Sequence, residues 1–377
     1  MSDPMRIGIA GAGSIALGTA AALHQNGHVA MLWSPLGAGT KALTTAPLCA
    51  SGAIEAEFMV AIASSAKQLV DENDAVIIAL PAYGHQTVMD ALTPHIRADQ
   101  HIIISSHASL GAVYLTQALA ARGVHAPITA WGTTIVTGRR QGDAAVQVNT
   151  LRARVDLCTV PDTESAGALT LCQRLFGDRF QPRDGLLAIT LSNLNPQNHL
   201  GIALGNITRM ERGEVWSQGQ HVTPKVGRLL EQLDLERLAI AKALDLNVKT
   251  IFEHFHLSFH VPVASISEMN QQMHAQGNGG TGPATADSRY VTEDVPYGLA
   301  LTVALGRLSG QPAVLHEAGI RVFSAMYGRD FMFENALLNA IGLDQYTLDD
   351  LQDAARTGRL SQRDAAKTSQ YHQEVPT

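Results

Sequence analysis

RIGIAGAGSIALGTAAALHQNGHVAMLWS, residues 6–34, decides the fold. Ile7 and Ile9 sit in a short β-prone run. Gly11, Gly13 and Ala16 follow as G-x-G-x-x-A. The stretch from about Ser14 to Gln25 is rich in Ala and Leu and reads as a helix, and VAMLW (29–33) as a second strand. A glycine pattern of this kind is weak evidence alone. Between a strand and a helix it predicts a dinucleotide-binding turn. The first glycine allows the tight turn, the second lets backbone approach a pyrophosphate, and Ala16 permits close helix–strand packing. N–H groups at the helix start then face the phosphates, so Gly11, Gly13, Ser14 and Ile15 are expected to hold the cofactor.

The residue that ends the second strand bears on which cofactor. An NAD-selective site usually carries Asp or Glu there, to bond the ribose 2′-OH. Here the position is Ser34, within WSPLGAGTK, and nothing repels a 2′-phosphate. Ser34, Thr40 and Lys41 are available to contact one, but no arginine follows. The cofactor expectation is therefore NAD(P)H with a slight lean to NADP.

Further strand–helix units extend the pattern. AVIIAL (75–80) and HIIISS (101–106) are almost wholly apolar, and PITAWGTTIV (127–136) continues the series. Continuous apolar strands suit a parallel sheet covered on both faces. In such sheets ligands lie beyond the carboxyl ends of the strands. That nominates three loops: PAYGH (81–85), SSHASLG (105–111) and WGTT (131–134). Leu80 and Pro81 are assigned to the cofactor and Thr133 to the substrate. His85 and His107 are read as ordinary loop histidines. VQVNTLRARVDLCTVP (146–161) alternates and is expected to form antiparallel strands that close the domain.

Composition bounds the partners. The 377 residues are 46% hydrophobic and 16% charged, enough for two globular domains. The net charge of -7 and the lack of a basic block argue against nucleic acid and anionic membrane. No run of about 18 apolar residues exists to span a bilayer. The N-terminus has no signal-peptide pattern. Cys49, Cys158 and Cys172 show no CxxC spacing, which suggests reduced thiols and a cytoplasmic protein.

From about Gly185 the periodicity becomes helical. The expected division is a Rossmann-type domain over 1–184 and a helical domain over 185–377. Leu233 to Leu246 carries Asp234, Glu236, Arg237 and Lys242, read as a solvated helix face. His254, His256 and His260 in FEHFHLSFH have no Cys or carboxylate at matching spacing, so no metal site is expected. NPQNHLGIALGN (195–206) places Asn195, as a cap, then Asn198 and His199 near a helix start marked by Pro196. The Gly-rich NGGTGP (278–283) is a candidate mobile loop. Thr347 to Asp350 is expected to begin a last helix, and SQYHQEVPT to fray.

RYVTEDVPYGL (289–299) concentrates an arginine, two carboxylates and a proline at the mouth of a helix. On local grounds Asp294 reads as a helix cap with Pro296 in the first turn.

Taken together, these segments resemble the opine dehydrogenase family, the octopine/nopaline dehydrogenase-like enzymes. The resemblance spans nearly the whole chain and rests on GAGSIALG, LPAYGH, NxNPxxH (193–199), LDLER (233–237) and RYVTEDVPYGL, the last being the most specific. It implies a Rossmann-type domain followed by a helical C-terminal domain like that of 6-phosphogluconate dehydrogenase, with the active site in the cleft between them. It implies reductive condensation of an amino acid with a 2-oxo acid through an imine. It implies a histidine–aspartate dyad, His199 and Asp294, with Arg289 holding a substrate carboxylate; the residues themselves already nominate Asn195, Asn198 and His199, two amides and a histidine near a helix start, as a site for a polar substrate. A homodimer is compatible with a helical domain of this size.

Two alternatives remain at this point. One is a dehydropantoate reductase-like enzyme that reduces a 2-oxo acid, or oxidises a 2-hydroxy acid, with no amine. The other is a dinucleotide-binding sensor without turnover.

Overall fold

The computed structural model describes residues 3–360. Twelve strands form two sheets. They are β1 (Arg6–Ala10), β2 (Val29–Trp33), β3 (Leu48–Gly52), β4 (Ala56–Phe58), β5 (Ala61–Ile62) and β6 (Ala75–Ile78), then β7 (His101–Ile104), β8 (Ile128–Trp131), β9 (Val136–Arg140), β10 (Ala145–Leu151), β11 (Val155–Val160) and β12 (Phe180–Pro182). The larger sheet runs β12-β11-β8-β7-β6-β1-β2-β5. The pairs from β5 across to β8 are parallel, and β11 lies antiparallel to β8.

The apolar strands behave as their composition requires. Ile7, Ile9, Val76, Ile77, Ile78, Ile102, Ile103 and Ile104 have no exposed surface. A strand buried on both faces needs apolar side chains at odd and even positions alike. The strand order reverses on either side of β1, so the loops after β1 and β6 open a crevice at the carboxyl edge of the sheet.

The expected antiparallel closure over 146–161 is only half realised. β11 does close the main sheet, but β10 does not pair with it. β10 joins a second sheet, β4-β3-β10-β9, parallel to β3 and antiparallel to β9. Alternation fixes which face of a strand is buried; it does not name the partner strand. The small sheet packs on the helix Ser14–Gln25, where Gly18 leaves room for Val136.

After Pro182 the structure is helical. Its main elements are Gly185–Ser192, Asn195–Glu211, Pro224–Ala243, Ile251–Phe259, Ile266–Ala275, Ala300–Leu308 and Val314–Tyr327. Leu348–Thr357 follows, opened by Thr347 and Asp350 as a reciprocal cap. SQYHQEVPT lies outside the described residues. The helices do not form a detached core. One hydrophobic cluster runs from Ile78, Ile104 and Ile128 of the sheet through Leu187 and Leu200 to Phe323. No helix of the described residues is long and apolar enough to cross a membrane.

The stripe in Leu233–Leu246 is not the solvated face its charges suggest. Asp234 and Arg237 are each 2% exposed. The Asp234 carboxylate accepts from the guanidinium at 2.7 Å, from the Gln197 amide at 2.9 Å and from the Ile251 backbone at 2.8 Å. Arg237 in turn donates to the carbonyls of Leu191 and Lys249. Glu236 caps another helix, accepting from the backbone N–H groups of Leu315 and His316 and from the His316 ring. Only Lys242 of the four keeps the solvent-facing position expected of it. The pair thus bolts the helix that carries His199, through Gln197, to its neighbours.

NGGTGP is not free either. Gly219 and Gln218 donate backbone bonds to Gly279 and Gly280, and Gly282 donates to Trp216. A Cβ on Gly282 would lie 2.2 Å from the Trp216 ring, so the glycine is there for close approach. The His-rich stretch packs locally. His256 donates to the Val261 carbonyl at 2.8 Å, and His260 ends its helix at φ +55°.

Candidate active site

The loops that leave the carboxyl edge of the parallel strands contain most of the residues expected to bind cofactor and substrate. Gly11 follows β1 with φ +145°, and a Cβ there would sit 2.2 Å from the Ala79 carbonyl. Only glycine allows the β1 and β6 loops to close on each other like this. Gly13 opens the helix, has free space where a Cβ would go, and supplies no side-chain cap. The first turn, Ser14 and Ile15 included, therefore offers backbone N–H groups with no side chain in the way. An anionic diphosphate fits that turn on both steric and electrostatic grounds.

Ser34 follows β2 directly, half-buried, and its carbonyl accepts from Gly37. Thr40 is excluded as a phosphate contact. It is 4% exposed, and its hydroxyl donates to the Gly37 carbonyl at 3.1 Å. Lys41 is exposed on the same loop. Leu80 and Pro81 follow β6, both half-buried. The Leu80 carbonyl accepts from His85 at 3.0 Å, which fixes this turn. Thr133 is half-buried in the loop after β8.

His85 and His107 are internal supports for these loops, as expected of loop histidines. Burial pushes His85 down to about 4 and His107 to about 3, and burial likewise takes His101 to about 4. All three are neutral in the folded protein. The unfolded chain titrates near 6.5, so it takes up protons first as pH falls. Each such histidine therefore removes stability from about pH 6.5 downward, at up to about 1.4 kcal/mol per pH unit, until its folded value is reached. Unfolding free energy is expected to be lower at pH 5 than at pH 7, and His107→Gln to flatten the slope. An unaltered slope in that variant would contradict the assignment.

The helical half carries the histidine and the aspartate singled out in the sequence. The helix Asn195–Glu211 starts with Pro196 near its N-terminus, as read from the sequence. Asn195 does not cap it. The side chain that serves the helix start is Asn193, whose oxygen accepts from the Asn195 backbone at 3.1 Å. His199 falls in the second turn. Its Nδ1 donates to Oδ2 of Asp294 at 2.7 Å, across 95 residues of chain. Both side chains are about one-fifth exposed, His199 at 18% and Asp294 at 22%. Among the described residues no protein group bonds to His199 Nε2.

Asp294 precedes the π-turn Val295–Leu299 yet makes no side-chain cap bond. The cap expected on local grounds is therefore absent, and the carboxylate serves the histidine instead. Single π-turns inside helices are frequent at functional sites because they re-aim the residues beside them. Gly298 makes the approach possible: a Cβ there would sit 2.4 Å from Pro196, at the start of the His199 helix.

Tyr290 completes the setting. Its ring stacks on the His199 imidazole with centroids 3.5 Å apart and planes 9° apart. Its hydroxyl donates to Gln218 at 2.6 Å. Burial and the nearby Asp294 charge push the phenol up to about 12, so it stays protonated. The imidazole is thus held by a carboxylate at one nitrogen and by a ring on one face.

The two adjacent carboxylates have different tasks. Glu293, 7% exposed, accepts from the Ala82 backbone at 2.9 Å, joining the LPAYGH loop to the helical half. Arg289 bonds Glu293 through Nε, while its side chain remains 69% exposed. A second tie crosses nearby. Ser109 donates to the Tyr297 carbonyl at 2.7 Å, and Asn335 donates to Ser109 and to Pro296, each at 2.8 Å. Sequence reading missed Tyr290, which stacks on His199, and Glu293, Ser109 and Asn335, which tie the strand loops to the helical half. Tyr290 and Glu293 carried a signal by lying in the most specific motif, and Ser109 by lying in the nominated loop SSHASLG; Asn335 carried none.

Comparison with known proteins fits this arrangement. Residues 182–327 match the family profile described as NAD/NADP octopine/nopaline dehydrogenase, alpha-helical domain. Residues 7–157 match ketopantoate reductase PanE/ApbA. Opine dehydrogenase from Arthrobacter sp. (strain 1C) is 31% identical over 295 residues, which are 76% of this chain and 79% of that protein. The chain belongs to the opine dehydrogenase family. This family member is an NAD(P)-dependent oxidoreductase acting on CH–NH bonds, with a Rossmann-type N-terminal half and a helical C-terminal half. Solved structures share the fold. Octopine dehydrogenase with NADH and L-arginine superposes with a TM-score of 0.80 at 17% identity, covering 96% of this chain and all of that one. Yersinopine dehydrogenase with NADP+ gives 0.68 at 14% identity, covering 95% and 99%.

Proposed function

We propose that this opine dehydrogenase family member condenses the amino group of an α-amino acid with a 2-oxo acid, with His199 as general acid–base. Asp294 orients His199, and Arg289 binds a substrate carboxylate. The observation that carries the reading is the 2.7 Å bond between His199 Nδ1 and Asp294. With Nδ1–H given to the carboxylate, a neutral imidazole presents the lone pair of Nε2 to the cleft. That nitrogen can take a proton from the attacking ammonium group. As imidazolium it can return a proton to the carbinolamine hydroxyl, which leaves as water. Asp294 fixes the tautomer and stabilises the imidazolium formed in between.

The balance is simple. Amine and ketone give imine and water, and imine, hydride and proton give a secondary amine. The reduced nicotinamide, when bound, supplies the hydride. Gly11, Gly13, Ser14, Ile15, Ser34, Leu80 and Pro81 form the site proposed to hold that cofactor. The relatives support the substrate class: octopine dehydrogenase is solved with L-arginine and, separately, with pyruvate. Asn198 has a buried amide oxygen without a partner among the described residues, an acceptor suited to a substrate N–H. Asn195 and Thr133 are proposed as further substrate contacts. Free thiols at Cys49, Cys158 and Cys172 support a cytoplasmic setting.

Arg289 uses only Nε on Glu293, which leaves both terminal nitrogens for a carboxylate. A charge-assisted bond of this kind makes Arg289→Met expected to raise KM for the 2-oxo acid by about 10- to 100-fold, with KM for the cofactor unchanged. Equal losses for both would remove Arg289 from the substrate site. Product mass tests the reaction itself. The mass must equal amine plus oxo acid, less water, plus two hydrogens. A simple hydroxy acid as product would refute the condensation.

A further inference from the structure

The loop after β2 contains no arginine, but the fold delivers one from elsewhere. Arg140 ends β9 in the small sheet. Its Nη1 donates to the Ala12 carbonyl at 2.9 Å, inside the glycine turn. Its Nη2 donates to Gly39 at 3.0 Å, in the loop after β2, and to Asp143 at 2.6 Å, while Nε donates to Gly142 at 2.8 Å. The two loops it joins already touch, since a Cβ on Gly39 would lie 2.7 Å from that of Ala12. In this fold those loops flank the adenosine ribose.

We propose that Arg140 is the residue that selects a 2′-phosphorylated dinucleotide, making NADPH the preferred cofactor. This rests on the reading of the glycine turn as the cofactor site. Four observations carry it. All four partners of Arg140 are backbone carbonyls, and among the described residues no carboxylate pairs with it. Carbonyls orient a guanidinium without neutralising it, so a half-buried positive charge stands between the two loops. A guanidinium has five N–H donors and four are used, which leaves one on Nη1 for an incoming oxygen. SPLGAGTK (34–41) has no acidic residue to oppose a phosphate, and Lys41 adds an exposed second cation. Finally, β9 packs on the phosphate-facing helix, with Val136 against Gly18, so the guanidinium is held in place by the scaffold.

The test is equilibrium binding of NADPH and NADH to the full chain, followed by nicotinamide fluorescence without substrates. The unaltered protein is expected to bind NADPH at least about tenfold more tightly, the scale of one charge-assisted contact. Arg140→Met is expected to weaken NADPH by about 10- to 100-fold and NADH by less than about threefold, and Arg140→Lys to retain part of the preference. Equal weakening of both would mean that Arg140 only ties the loops together, and would overturn the inference, as would a native preference for NADH. Should Arg140→Met fail to fold, competition on the unaltered chain decides. 2′,5′-ADP must displace the bound dinucleotide at lower concentration than 5′-AMP; equal potency refutes the proposal. Binding of neither dinucleotide would bring down the cofactor reading with it. Intact binding without amine condensation would leave this inference standing.

Discussion

Replacing His199 with alanine is expected to lower kcat/KM by about 100- to 10,000-fold, the range that general acid–base catalysis supplies. That loss corresponds to roughly 3–5 kcal/mol of transition-state stabilisation. Cofactor affinity should not change, because the dinucleotide turn lies on β1 and the histidine lies on a helix of the other half. Asp294→Asn should fall in the same range, since an amide can present the wrong hydrogen-bonding partner to Nδ1 and no longer balances an imidazolium. Groups that act as one unit lose activity together, so the double variant should be little worse than either single one. Additive losses in the double variant would contradict the dyad. So would a His199→Ala protein that turns over normally.

The second large effect concerns stability. Arg237→Ala is expected to cost about 3–5 kcal/mol, because it strands the buried Asp234 carboxylate. Set against a total of about 5–15 kcal/mol for a folded domain, that leaves the variant near its folding threshold. Replacing both residues with apolar ones is often tolerated for an isolated buried pair. It should not be here. The Gln197 amide and Ile251 N–H would lose their acceptor, and the Leu191 and Lys249 carbonyls their donor. Each buried polar group left unpaired adds about 1–3 kcal/mol. Urea unfolding of Arg237→Ala measures the first effect. A change below about 1 kcal/mol would show that the pair does not anchor these helices.

The same pair marks the limit of what a sequence displays. Asp234 and Arg237 are three residues apart on a helix, and that spacing suits a buried pair and a solvated stripe equally well. What separates the two is whether Leu191 and Lys249 turn their carbonyls inward, and no local pattern carries that. The glycine turn was legible because its chemistry is local. A tight turn, an open approach and a helix start follow one another in six residues. His199 stood out locally as a histidine near a helix start, but its pairing with Asp294 was legible only through a family resemblance, since 95 residues separate them and periodicity says nothing of their meeting. Asp294 even carries a misleading local signal, for its position and the proline after it are those of a helix cap. The stretch NGGTGP misled in the same way. Glycines permit motion, but they also permit contact, and the Trp216 ring beneath Gly282 makes contact the reason here. Arg140 was invisible because it reaches Gly39 and Ala12 from 101 and 128 residues away, out of a small sheet whose strand pairing alternation does not fix.

The most direct test of the account is the oxidation of NADPH and NADH by the purified protein with a panel of 2-oxo acids, each with and without a panel of amino acids. Loss of nicotinamide absorbance is expected only when both substrates are present. Oxidation by an oxo acid alone, at a rate that no amino acid increases, would contradict it.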